Sequence, residues 1–306
     1  MRKYLLLLLT AITIIAADKA YALEMTVGAT TWYVWGNRNE DIISSVDPVS
    51  GQQWSYRYGN NNSYSFDPSF LYGPAISIKF NNDFNLTFIY LYGKFEHNIT
   101  YDRTYGDTWE ANYKFKRSDS DIALNYRLND FFKVFAGIKY MNYDIKITET
   151  SPSGVEEDHN SSSKHRSFGP GLGLSSTYPL TENIFLLGTI SGFYLFTTGE
   201  KFKDGGEAGG IYGNYGDGGL EPVNWNIGYK EYGINTTLAV AYYIAPASIV
   251  ISLGGRFQYF KTDYDEKRND DDPDPRSAAD KDNFLINSIT NKMYGITLTA
   301  TYSFSI

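Results

Sequence analysis

From Tyr294 to the C-terminus the chain alternates without a break. Tyr294, Ile296, Leu298, Ala300, Tyr302, Phe304 and Ile306 fall on one face, and Gly295, Thr297, Thr299, Thr301, Ser303 and Ser305 on the other. Period two predicts a strand with one apolar face, and this run is about twice as long as an ordinary globular strand. The design recurs upstream. Phe70, Tyr72, Pro74, Ile76, Ile78 and Phe80 alternate with Ser69, Leu71, Gly73, Ala75, Ser77 and Lys79. Leu86, Phe88, Tyr90 and Tyr92 follow on one face, then Ile122, Leu124, Tyr126 and Leu128 against Asp121, Ala123, Asn125 and Arg127. Val134, Ala136, Ile138 and Tyr140 come next, and Phe168, Leu172, Leu174 and Tyr178 face away from Gly169, Gly171, Gly173, Ser175 and Thr177. The segment 185–196 is apolar on both faces, and Tyr232 to Tyr242 and Ile249 to Tyr259 alternate again. A less regular first strand lies near Met25 to Trp35.

The pattern yields ten strands, with a range of eight to twelve because the connections 36–67 and 198–228 are long enough to hold another hairpin. Connections near 81–83, 129–131, 180–183 and 244–247 are short; those near 36–67, 96–112, 147–166, 198–228 and 262–289 are long and polar. Short and long alternate throughout. A soluble sandwich has no reason to put every short turn at one end, whereas a membrane barrel has short periplasmic turns and long external loops. The fold class expected is therefore all-β, a transmembrane antiparallel up-and-down β-barrel. Phe80, Tyr126, Tyr178, Tyr242, Tyr302 and Phe304 lie beside the short turns; Tyr33, Phe70, Tyr92, Tyr140, Phe168, Tyr232, Phe257 and Tyr294 lie toward the long loops. These are two aromatic girdles. Polar or very small residues are expected to fill the interior.

Composition sharpens this picture. The chain has 27 Tyr, 19 Phe and 28 Gly but no Cys and only 3 His, which removes disulfide scaffolds, Cys-ligated metals and thiol nucleophiles. A net charge of −8 argues against nucleic acid as a partner. Mean hydropathy is −0.36 despite the aromatics, as expected where only alternate strand residues meet lipid. Arg2 and Lys3 precede an apolar run from Tyr4 to Ala17, and Ala20-Tyr21-Ala22 supplies a small-x-small cleavage pattern. Residues 1–22 are thus expected to be a cleaved signal peptide and 23–306 the barrel domain.

On this alternation, loop asymmetry and terminal strand, the chain resembles the bacterial outer-membrane β-barrel superfamily, over essentially all of its mature length. The resemblance implies export to the outer membrane, contact with outer-membrane lipid and lipopolysaccharide, and handling by the barrel assembly machinery. That machinery reads an alternating last strand, which Tyr302 and Phe304 match; the final Ile306 differs from the usual Phe or Trp.

In a barrel, chemistry resides in the lumen and external loops. Parity points Lys79, Asp121, Arg127, Lys133, Lys139, Glu231 and Arg256 inward, with Lys79, Arg127 and Lys133 near the periplasmic mouth. They form either a basic constriction of a narrow pore or ion pairs that plug a small barrel, with Asp121 and Glu231 as partners. Trp54, Trp109 and Trp225 fall in external loops, as contact candidates for an outside ligand or as packing between loops. The omptin proteases are also ten-stranded and resemble a test case for catalysis; Asp158-His159 is the one Asp-His dipeptide, in a Ser-rich loop that favours a solvated histidine. No cofactor is implied. The acidic stretch 263–282 matches no EF-hand spacing and leaves Ca²⁺ binding open. The expectation is a non-enzymatic barrel, either structural and surface-interacting or a narrow pore for small solutes, with a rim enzyme as the alternative.

Overall fold

A computed structural model of the chain describes residues 23–43, 45–46, 53–54, 63–102, 108–150, 159–203, 227–264 and 285–305. Ten of its strands make one sheet: β1 (Glu24–Ile43), β2 (Ser63–Lys79), β3 (Phe84–Asp102), β4 (Thr108–Arg127), β5 (Phe132–Thr150), β6 (His159–Pro179), β7 (Ile184–Lys203), β8 (Ile227–Ile244), β9 (Ile249–Tyr264) and β10 (Leu285–Ser305). Each pairs antiparallel with its sequence neighbours, and β1 pairs with β10, so the sheet closes on itself. Closure gives every strand two partners, which is what lets a sheet stand in a medium that offers no hydrogen bonds.

The short turns are built by side chains that replace missing backbone partners. Asn81 Oδ1 accepts from the N–H groups of Asp83 and Phe84 (both 2.8 Å), and Asn129 Oδ1 from those of Phe131 and Phe132 (both 2.9 Å). Thr181 Oγ1 does the same for Ile184 at 3.1 Å. These are the Asx and Ser/Thr turns that such residues favour. The fourth turn is a 3₁₀ segment, Ala245–Ala247, that ends on Ser248 with φ 52°.

The strands run further into the long connections than the alternation predicts. β4 begins at Thr108 and β5 ends at Thr150, for example, and β6 begins at His159. Above the apolar band the outward residues are polar, so the contrast between faces fades while the ladder continues. Within 36–67 the extra pairing is a two-residue ladder, Ser45–Val46 with Gln53–Trp54, that stays outside the barrel.

The outer surface is apolar: Leu172, Leu238, Leu253, Ile296 and Leu298 are exposed. Aromatic contacts mark both edges of this band. Tyr33 meets Phe70 at 4.6 Å on the long-connection side, and Phe84 meets Tyr126 at 4.9 Å beside the short turns.

The interior corrects one expectation. Polar and small residues do line the half near the short turns, where Thr26 pairs with Ser303 (2.8 Å) and Thr30 with Thr299 (2.7 Å). The other half holds an apolar core of Trp32, Val34, Leu71, Leu91, Phe95, Phe115, Met141, Ile145, Phe193, Leu195, Phe260 and Met293. Several of these sit on strands that are apolar on both faces, such as Phe193 and Leu195 on β7. A ten-stranded barrel is narrow enough for large side chains to meet across it.

Candidate functional site

The lumen carries a charged network below and among that core. β4 places Arg117, Asp119 and Asp121 at successive inward positions. Arg117 is 2% exposed and Asp119 1%. The Arg117 fork donates from Nε to Asp119 Oδ1 at 2.7 Å and from Nη2 to Oδ2 at 2.6 Å, the bidentate geometry that suits guanidinium to carboxylate. Nη2 also donates to Gln258 Oε1 at 2.8 Å, and Nη1 touches the Met293 sulfur. The guanidinium carbon lies 5.3 Å from the Tyr143 ring centroid and 5.7 Å from that of Phe260.

Lys139 on β5 stands directly opposite Asp121 in the ladder. Its Nζ donates to both Asp121 oxygens at 3.0 and 3.1 Å, lies 3.9 Å from Asp119 Oδ2, and sits 5.7 Å from the Phe193 ring. Arg256 on β9 stacks over Trp32 at 4.6 Å. Glu231 is buried higher on β8, where it accepts from Thr262 Oγ1 at 3.4 Å. Three cations, Arg117, Lys139 and Arg256, thus share the lumen with three acids, Asp119, Asp121 and Glu231, and the formal charges cancel. Arg117–Asp119 and Lys139–Asp121 are paired as buried charges require, whereas Glu231 Oε2 finds no hydrogen-bond partner among the described residues.

β4 and β9 are five strands apart in either direction around the ring. The Arg117–Gln258 hydrogen bond therefore joins side chains from opposite walls of the barrel.

The sequence-predicted residues divide into two groups. Asp121, Lys139, Glu231 and Arg256 lie in or beside the network. Lys79, Arg127 and Lys133 do not; they stay at the short-turn mouth, where Lys79 bonds Glu24 at 3.0 Å, Arg127 pairs with Asp130, and Lys133 is exposed. The sequence reading missed Arg117, Asp119 and Gln258. The signal was present, since Arg117 and Asp119 continue the odd parity of Asp121, but outward Lys114, Lys116, Ser118 and Ser120 hide the alternation there. The signal segment 1–22, Trp225, Asp158 and the stretch 265–282 lie outside the described residues, as do the side chains of Trp54, Trp109 and His159.

No protein-family model and no curated protein matches the chain. Solved structures do. The outer membrane protease OmpT from Escherichia coli matches at TM-score 0.50 and 11% identity, covering 94% of this chain and 99% of that one. The fold is that of a bacterial outer-membrane β-barrel. More distant barrels are the translocator domain of the autotransporter NalP from Neisseria meningitidis (TM-score 0.37, 10% identity, 96% and 92% covered) and a major outer membrane protein from Thermus thermophilus (0.34, 11%, 93% and 100%). At 11% identity the likeness to the protease is one of fold, and its activity is not transferred with it.

Proposed function

We propose that this outer-membrane barrel is a non-enzymatic structural protein with a sealed lumen, whose work is done by the surfaces it displays. The observation that carries this reading is the hydrogen bond from Arg117 to Gln258 across the barrel diameter. It belongs to a charge-neutral network packed against Trp32, Met141, Phe193 and Phe260, so an ion entering the lumen meets paired charges and an apolar wall. A selectivity filter instead presents unpaired charge to the passing ion. The paired aromatics Tyr302 and Phe304, 5.8 Å apart on the last strand, support recognition by the barrel assembly machinery.

Planar-bilayer recording of the refolded protein tests the seal. The expected trace is silent while gel mobility reports a folded barrel. Discrete conductance steps from wild-type protein would replace this reading with the narrow pore. Peptide or lipid cleavage that disappears in His159→Ala would replace it with the rim enzyme.

A further inference from the structure

Below the Arg117–Gln258 bond the pairing of lumen charges stops. Arg256 is the next inward residue of β9 after Gln258 toward the short turns. The acids whose field reaches it, Asp121 and Asp119, are bonded to Lys139 and Arg117. Among the described residues the Arg256 guanidinium makes no ion pair and no hydrogen bond; it rests on the face of Trp32, 4.6 Å from the ring centroid. Trp32 is buried, and its indole N–H lacks an acceptor as well. Glu231, the remaining lumen acid, stands too far away to serve. The ladder sets Arg256 opposite Thr237, and Glu231 lies six residues further up β8, about 20 Å along a strand that rises about 3.3 Å per residue. Phe260 lies between the two levels, opposite Gly233. A guanidinium keeps its charge and offers five N–H donors, so the counter-charge has to come from outside the chain.

Solvent reaches this group from the short-turn side. On β9 the inward residues above Arg256, namely Gln258, Phe260 and Thr262, are buried, whereas Arg256 and, below it, Gly254 and Ser252 keep partial exposure. Thr26 and Thr30 on β1 and Thr297, Thr299 and Thr301 on β10 are partly exposed in the same way. The wall between Arg256 and the short turns is thus made of hydroxyls and small residues. At the short-turn mouth Lys133 is exposed and forms no ion pair among the described residues, which puts a second cation on the path inward.

We propose that Arg256, backed by Trp32, is the anchor of a ligand site in the short-turn half of the lumen, and that it takes a small hydroxylated oxyanion whose head is a carboxylate or a phosphate. The guanidinium fork matches either head in bidentate geometry, and the threonine wall offers donors and acceptors to hydroxyls on the body of the ligand. The site goes beyond the structural role proposed above. It lies below the Arg117–Gln258 bond and holds whether the lumen is sealed or open.

The test uses full-length protein refolded in neutral detergent and chloride-free buffer, titrated with inorganic phosphate, with lactate and with glycerol, and read by calorimetry and tryptophan emission. Phosphate or lactate is expected to saturate a single site per barrel, with glycerol at least about tenfold weaker and anion affinity falling as chloride is added; the tighter of the two anions names the head group. Arg256→Gln is expected to weaken anion binding at least about tenfold, while Lys261→Gln, on the outer face of the same strand, leaves it unchanged. Gel mobility confirms that each variant is folded. If Arg256→Gln does not fold, Trp32→Phe takes its place, and the emission change that the anion causes in wild type is expected to disappear. No saturable binding of either anion, equal binding of glycerol, an Arg256→Gln variant that binds like wild type, or an emission change that survives Trp32→Phe would each overturn the proposal. Bilayer conductance is read separately: conductance steps from wild type would remove the sealed lumen and leave this site standing, whereas absent binding with a silent bilayer would remove the site alone.

Discussion

Replacing Asp119 by Ala removes the carboxylate that receives two hydrogen bonds from Arg117 and lies 3.9 Å from Lys139. Lys139 keeps Asp121, but Arg117, 2% exposed, keeps neutral partners: the oxygen of Gln258, the sulfurs of Met141 and Met293 and the two ring faces. Removing one partner of a buried ion pair costs about 3–5 kcal/mol, because the other charge is left without compensation. Replacing both partners with apolar residues of similar size is close to neutral in comparable cases. Asp119→Ala is therefore expected to lower the unfolding free energy by about 3 kcal/mol or more, whereas Arg117→Met/Asp119→Leu recovers most of the loss. The assay is reversible urea unfolding in lipid vesicles, read by tryptophan fluorescence and gel mobility, with both single variants and the double to complete the cycle. A loss below about 1 kcal/mol for Asp119→Ala, or a double variant as unstable as the sum of the singles, would show that the pair is not the dry, coupled unit described.

Three further outcomes follow from the fold. Leu238 is 58% exposed on the outer band, so Leu238→Arg is expected to cost about 2–4 kcal/mol when the protein folds into lipid; a neutral result in vesicles would mean that this face does not meet hydrocarbon. A methyl group at Gly169 would collide with the carbonyl oxygen of Tyr194, while one at Gly171 would make ordinary contacts at 3.6 and 3.9 Å; Gly169→Ala should reduce the folded yield on a gel and Gly171→Ala should leave it unchanged. Tyr302→Ala/Phe304→Ala is expected to slow assembly in cells more than refolding in detergent, and equal slowing in both would assign these rings to stability alone.

The barrel was readable wherever lipid imposed a contrast between faces. β10 alternates from Tyr294 to the short-turn end because Tyr294, Leu298 and Tyr302 face outward while Thr297, Thr299 and Thr301 do not. Asp121 and Lys139 were placed inward by the same parity, and their ladder position makes them partners. Where the contrast fails, so does the reading. On β4 above Ile122 both faces are polar, which concealed Arg117 and Asp119. On β7 both faces are apolar, which concealed Phe193 and Leu195 as interior packing. Gln258 gave no signal at all: its role depends on which strand stands opposite β4, a relation that appears only once the ring is closed.

That closure has another consequence. A sheet with a free edge can accept an added strand from a partner, by main-chain hydrogen bonds alone and with little regard for side chains. With β1 joined to β10, the ring presents no such edge to any other molecule. The wall of the barrel therefore recognises nothing by lending its backbone; recognition there is left to side chains on the flank of the cylinder, where sequence can change without disturbing the ladder.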